Sequence, residues 1–208
     1  MTPSPRRLPW IFLLLLLGIA VGGFYLLNRP RLRFTNRLAA PVRLALGSEP
    51  RTVAPGETVT AVVPRGRTLV VEWEMVRPLS ADGQPMGEPV RGSAVLRGPR
   101  GTLVDSAASR VAGTDYFAPL VTNATDHLLR VTVNAGLQGA VDCGCAIRPG
   151  ARRAFIGYYR LYRNSTVRAA VAGGGRATFR DLGDEVTSAD GTVGLRFEDK
   201  DFSGSGGA

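Results

Sequence analysis

"FTNRLAAPVRLAL" (Phe34–Leu46) and "VTNATDHLLRVTV" (Val121–Val133) superimpose at a constant offset of 87 residues. Asn36 falls on Asn123, Val42 on Leu129 and Leu44 on Val131. Further on, "APGETV" and "RPGARR" bring Pro55-Gly56 onto Pro149-Gly150, and "TLVVEWEMV" matches "STVRAAVA". Both stretches read strand, Thr-Asn turn, strand, loop, Pro-Gly turn, strand. Self-similarity at one period marks a repeated supersecondary unit; the competing reading is that Thr-Asn and Pro-Gly are generic turn signals.

The strands announce themselves by alternation. Val42, Leu44 and Leu46 share one face, as do Leu69, Val71, Trp73 and Met75, with Glu72 and Glu74 opposite. Near the end, Val193, Leu195 and Phe197 point one way and Arg196 and Glu198 the other. Such strands have one face on a core and one in water. Apart from the first thirty residues, no amphipathic helical pattern is present. The fold class is therefore all-β: two tandem immunoglobulin-like β-sandwich modules, residues 29–114 and 115–198, each of about seven short strands. A flexible tail, 199–208, follows. The proline-rich segment 77–92 reads as a long functional arm or a disordered loop.

Residues 8–27, "LPWIFLLLLLGIAVGGFYLL", carry no charge. As a helix they reach about 30 Å, the thickness of a bilayer's hydrocarbon core. Trp10 and Tyr25 stand where aromatic rings favour the membrane interface. Arg6 and Arg7 flank one side, and Arg29, Arg31 and Arg33 the other. The expectation is one N-terminal transmembrane helix within residues 1–28, with a cleaved signal peptide ending near Gly22 as the alternative. The setting is a bacterial-type inner membrane with the β-domains periplasmic. The arginines after the span argue for the opposite orientation by the positive-inside rule.

The formal charge of the 208 residues is +9, and Lys200 is the only lysine. With a membrane anchor in place, that charge points to anionic lipid headgroups or to membrane-complex subunits with acidic surfaces rather than to nucleic acid. Catalytic signatures are missing. His127 is the only histidine, which excludes multi-histidine metal centres, and no nucleophile-elbow sequence accompanies it. "AGGGR" (172–176) has no helix after it to bind a phosphate and reads as a hairpin turn. The sequence implies no enzyme, metal or cofactor.

Two features remain. Cys143 and Cys145, the only cysteines, lie about 6.6 Å apart if the strand is extended, at the long edge of disulfide geometry unless Gly144 kinks the chain. Between the matched strand end and the matched Pro-Gly, the first unit has seven residues and the second fourteen. The pair therefore reads as an elaboration of a longer connection, as inert residues, a local disulfide, or a thiol or metal pair. In "FIGYYRLYRN", Tyr158, Tyr159, Arg160, Tyr162 and Arg163 form a candidate partner interface, because tyrosine and arginine dominate interface hot spots. The alternative there is ordinary strand alternation. The expected function is a non-enzymatic, membrane-anchored accessory subunit that stabilises a larger membrane complex, respiratory or photosynthetic in setting though no motif names it. An envelope carbohydrate-binding module and an anchored thiol or metal-handling protein are the alternatives.

Overall fold

The computed structural model describes residues 8–27, 29, 31–46, 49–62, 69–96, 102–111, 113–137 and 140–202. Arg6, Arg7 and the end of the expected tail, 203–208, lie outside them. One helix, α1 (Leu8–Leu27), precedes β-structure throughout. Its described side chains, residues 10–25, cover about 24 Å of axis. Among the described residues no helix is long and apolar enough to cross a membrane. The large side chains of α1 are exposed all round, from 48% at Tyr25 to 68% at Trp10. A Cβ added at Gly18, Gly22 or Gly23 would meet nothing within 4 Å.

The first half contains β1 (Arg31–Asn36), β2 (Val42–Leu46), β3 (Glu49–Val53), β4 (Thr58–Val62), β5 (Leu69–Met75), β6 (Arg91–Leu96) and β7 (Thr102–Ala107). They form two sheets, β4-β1-β7 and β3-β2-β5-β6. The sheets bury Leu32, Phe34 and Val59 of one against Val42, Leu44, Val71 and Trp73 of the other. The Phe34 and Trp73 rings lie 6.4 Å apart.

A two-residue strand, β8 (Arg110–Val111), leads into the second half. That half comprises β9 (Thr114–Asn123), β10 (Leu129–Val133), β11 (Val141–Ile147), β12 (Ala154–Phe155), β13 (Tyr159–Arg160), β14 (Val167–Ala170), β15 (Arg176–Phe179) and β16 (Thr192–Phe197). The pairing scheme is that of the first half. β1 is antiparallel to β4 and parallel to β7; β9 is antiparallel to β12 and β13 and parallel to β16. The facing sheets, β3-β2-β5-β6 and β11-β10-β14-β15, also correspond strand for strand. A second core unites Phe117, Val121, Leu195 and Phe197 with Val131, Cys143, Ile147 and Val167. The expected hairpin at 172–176 joins β14 to β15, with the Val171 amide bonded to the Gly175 carbonyl at 3.0 Å.

The immunoglobulin strand order is a correction. In that fold the first strand lies beside the second, whereas here β1 lies between β4 and β7, and β2 is in the facing sheet. Alternation dictates that each strand has a buried face, but not which strand it adjoins.

The repeated Thr-Asn and Pro-Gly motifs have one physical explanation. Asn36 is fully buried; its Nδ2 donates to the carbonyls of Ala40 and Val53 at 2.9 and 3.0 Å, and its Oδ1 accepts the Leu38 amide at 2.9 Å. Asn123 Nδ2 donates to His127 and Ile147 at 2.8 and 2.9 Å, and its Oδ1 accepts the Thr125 amide at 3.0 Å. The backbone of each asparagine grips the Pro-Gly turn. The Gly56 amide donates to the Asn36 carbonyl, and the Glu57 carbonyl accepts the Asn36 amide; Gly150 and Ala151 do the same for Asn123. The two motifs are thus the two sides of one knot that staples one sheet to the other at the end of each half.

The halves interlock. Segment 77–92 is not a free arm. It is folded on itself by a Leu79–Pro85 bridge and a Met86 amide to Pro78 carbonyl bond of 2.8 Å. It then crosses to the second half, where Met86 enters that core. Glu88 donates its amide to the Tyr158 carbonyl at 2.7 Å and accepts the Arg160 amide at 3.1 Å. Gly87, at φ 75°, meets Gly157, at φ 106°, backbone to backbone; a Cβ on Gly87 would come within 2.7 Å of the Tyr158 carbonyl. In return, Ala118 and Tyr158 pack into the first core. The division expected at 114/115 falls inside β9. The expected start of the tail also moves: Asp199–Phe202 form a 3-10 turn whose Phe202 ring lies 6.1 Å from Phe197.

Candidate functional site

Tyr158 and Tyr159, proposed from sequence as surface anchors, are fully buried. The Tyr158 hydroxyl accepts the Ala39 amide at 2.9 Å and donates to the Asp190 carbonyl at 2.6 Å. Tyr159 donates to the Ile156 carbonyl at 2.9 Å. Burial pushes the Tyr158 phenol up to about 12, the Ala39 bond opposing and the Asp190 charge adding to the rise. Burial pushes Tyr159 up as well, with the charges of Asp142 and Glu88 contributing. Arg160 and Arg163 are exposed and Tyr162 is half-buried. The candidate interface is thereby split: two tyrosines hold the halves together, and the rest stays at the surface. One strand's alternation cannot reveal that a second domain's loop covers its outer face.

Cys143 and Cys145 are joined in a disulfide with Cα atoms 5.1 Å apart. Gly144, at φ 63°, makes the kink that brings them together. They belong to β11, paired with β10, and their side chains point into the second core. The reading of the pair as a loop elaboration is corrected. Arg130 opposes Ala146 and Thr132 opposes Asp142, so four steps of β11 match two of β10. The extra residues are a bulge in the counterpart of β3, and the disulfide closes it. Both cysteines are under a tenth exposed, which shields them from thiol exchange partners. Among the described residues, no group of three or more His, Cys, Asp or Glu is placed to hold a metal.

A concave feature among the described residues lies elsewhere, on the outer face of β3-β2-β5-β6. Cross-strand register sets Arg43, Glu74 and Arg91 in one row, and Ala45, Glu72 and Ser93 in the next. A cleft of 780 Å³ opens over these rows and reaches Asp105, Ser106, Arg110 and Val111 of β7 and β8. Gly92 forms part of its floor because Trp73 lies beneath; a Cβ there would come within 2.6 Å of the indole. Three guanidinium and three carboxylate groups thus line one depression, with Glu74 between Arg43 and Arg91. Guanidinium groups pair bidentately with carboxylates, and alternating charge fixes register between protein surfaces more than it adds affinity.

The sequence showed Glu72 and Glu74 on one strand face but not the arginines opposite them, because the pairing of β2, β5 and β6 is not readable from alternation. Of the expected membrane-interface residues, Arg29 lies over the Tyr25 ring at 5.8 Å. Arg31 and Arg33 occupy exposed positions of β1, and Trp10 is at the far end of α1. No family model matches the chain, and no curated protein is significantly similar to it.

Proposed function

We propose that the chain is a non-enzymatic, membrane-anchored docking subunit made of two copies of one sandwich module. The observation that carries this is α1: twenty residues without a charge, with its large side chains exposed from Trp10 to Tyr25. In water such a helix leaves several hundred Å² of apolar surface unburied, at about 25 cal/mol per Å²; a bilayer removes that cost. The sequence Leu8–Leu27 spans about 30 Å, longer than the part whose side chains are described. The charged cleft of the first half is the surface offered to a protein partner in the same membrane.

The Cys143–Cys145 disulfide supports placing the β-halves on the periplasmic side, where such bonds persist; the arginines following α1 favour the other side. Protease accessibility of the C-terminal residues in intact cells decides between them. The polymer-binding reading draws no support from Tyr158, Tyr159 or Trp73, whose rings are buried.

Two experiments test the proposal. Leu14→Arg with Leu16→Arg places charge at the centre of α1, costing several kcal/mol in a bilayer; the variant should leave the membrane fraction on alkaline extraction while the wild type stays. Arg43→Glu with Arg91→Glu should keep the chain in the membrane but abolish its co-migration with a larger complex in mild detergent. A wild-type chain that migrates alone overturns the docking role.

A further inference from the structure

The two ends of the first sandwich differ. At one end Asn36 reaches Val53, so the Val42–Val53 pair lies there too. The opposite end therefore gathers Arg31, paired with Val62 and Thr102, and the pairs Leu46–Glu49 and Leu69–Leu96. This is the end at which α1 enters. Apolar side chains are left in the open there, as Val76 and Leu79 are near the opposite end. Val62 is 56% exposed on the outer face of β4; Val70 and Val95, direct cross-strand partners on the outer face of β5 and β6, are 50% and 44% exposed. The three sit on both outer faces of the sandwich, forming a rim rather than one side patch. Arg31 stands opposite Val62 on the same face.

We infer that this rim rests on the headgroup layer of the bilayer that holds α1, with Val62, Val70 and Val95 entering the interface and Arg31 meeting anionic phosphates. The inference rests on α1 being an anchor and is continuous with it. Between Leu27 and Arg31 only three residues intervene, about 10 Å of chain when extended, so the rim cannot stand far from the membrane surface. Valine beside arginine suits the interface, where apolar side chains enter the acyl boundary and basic residues are attracted to an anionic surface. The consequence is an upright, fixed sandwich that presents its charged cleft at a set height.

The test uses the full chain in vesicles of zwitterionic and anionic phospholipid, with and without lipids brominated near the headgroup. Val95→Trp and, on the opposite sheet, Val62→Trp are the reporters. Leu128→Trp, exposed next to β10 at the far end of the second half, is the control. After subtraction of the wild-type signal, both rim reporters should be quenched roughly two-fold or more relative to the control, more strongly with anionic lipid and less in high salt. Rim reporters quenched no more than Leu128→Trp, with native Trp10 still quenched, overturn the inference and leave the anchor standing. An unquenched Trp10 removes the anchor itself, and the inference with it.

Discussion

Tyr158, from the second half, closes the first core, and its hydroxyl accepts the amide proton of Ala39 at 2.9 Å. The same oxygen donates to the Asp190 carbonyl at 2.6 Å, so one phenol joins β-structure more than a hundred residues apart. Tyr158→Phe leaves a half-buried amide and a half-buried carbonyl without that partner. It should lower stability by about 1–3 kcal/mol. Tyr158→Ala, which also removes the ring, should cost about 3–5 kcal/mol and split a single urea transition into two, seen by tryptophan fluorescence and far-UV dichroism.

Alkaline pH should weaken the same junction. The folded Tyr158 phenol is pushed up to about 12, against 10.0 for an ordinary tyrosine. The unfolded chain therefore releases this proton before the folded one does. Its contribution is complete below about pH 10 and is lost as pH rises toward 12, amounting to about 3 kcal/mol for Tyr158 alone. Tyr159 is displaced in the same direction. Urea midpoints at pH 8, 10 and 11 should fall in that order, and Tyr158→Phe should flatten part of the slope.

Asn36→Ala and Asn123→Ala test whether the two knots are equivalent. Each change deletes two donated bonds and one accepted backbone amide inside a closed sandwich end, and Asn123→Ala also deletes the bond that Oδ1 accepts from the Thr125 hydroxyl. Each should cost about 2–4 kcal/mol, and the two losses should agree more closely than those of unrelated buried asparagines. A near-neutral effect at one site would mean that the shared motif is a surface turn signal there.

These asparagines also show what the sequence could disclose. Asn36 and Asn123 recur at one offset because each half must satisfy the same backbone groups at the same corner, so local chemistry left a readable mark. The strand faces were readable for the same reason: Val71, Trp73 and Met75 alternate with Glu72 and Glu74. Neighbour relations were not. β1 pairs with β4 and β7 through backbone groups that every residue has, so no side chain records it. Tyr158 carries the pattern of an exposed hot spot, and only the crossing of Met86–Glu88 over it makes it core. Arg43 and Arg91 flank Glu74 by register alone, which left the cleft invisible until the sheet was assembled.

Gly87 and Gly157 mark the tightest passage between the halves. Their Cα atoms approach so closely that a Cβ on Gly157 would lie 2.9 Å from the Gly87 Cα and the Met86 carbonyl. Both have positive φ, where an L side chain is strained as well. Gly157→Ala should cost about 2–4 kcal/mol and loosen segment 77–92, seen as faster hydrogen exchange of the Met86 and Glu88 amides. Gly83→Ala, also at positive φ but with open space around it, should cost only the backbone strain, about 1 kcal/mol.

Reduction of the Cys143–Cys145 bond should change stability little and leave the fold intact. A disulfide stabilises chiefly by removing freedom from the unfolded chain, and a loop of about three residues removes so little that the expected gain is about 1.5 kcal/mol. The bulge it closes is held independently, since β10 pairs with β11 on both sides, at Arg130–Ala146 and at Thr132–Asp142. Cys143→Ala with Cys145→Ala should therefore unfold at a urea midpoint close to that of the reduced wild type. Ile147→Ala, one step beyond the bulge in the same core, should cost about 2–5 kcal/mol. If reduction instead unfolds the second half while the first stays folded, the clip is what holds β11 in the sheet. The matching strand β3, which has no bulge to close, would then explain why only one half carries cysteines.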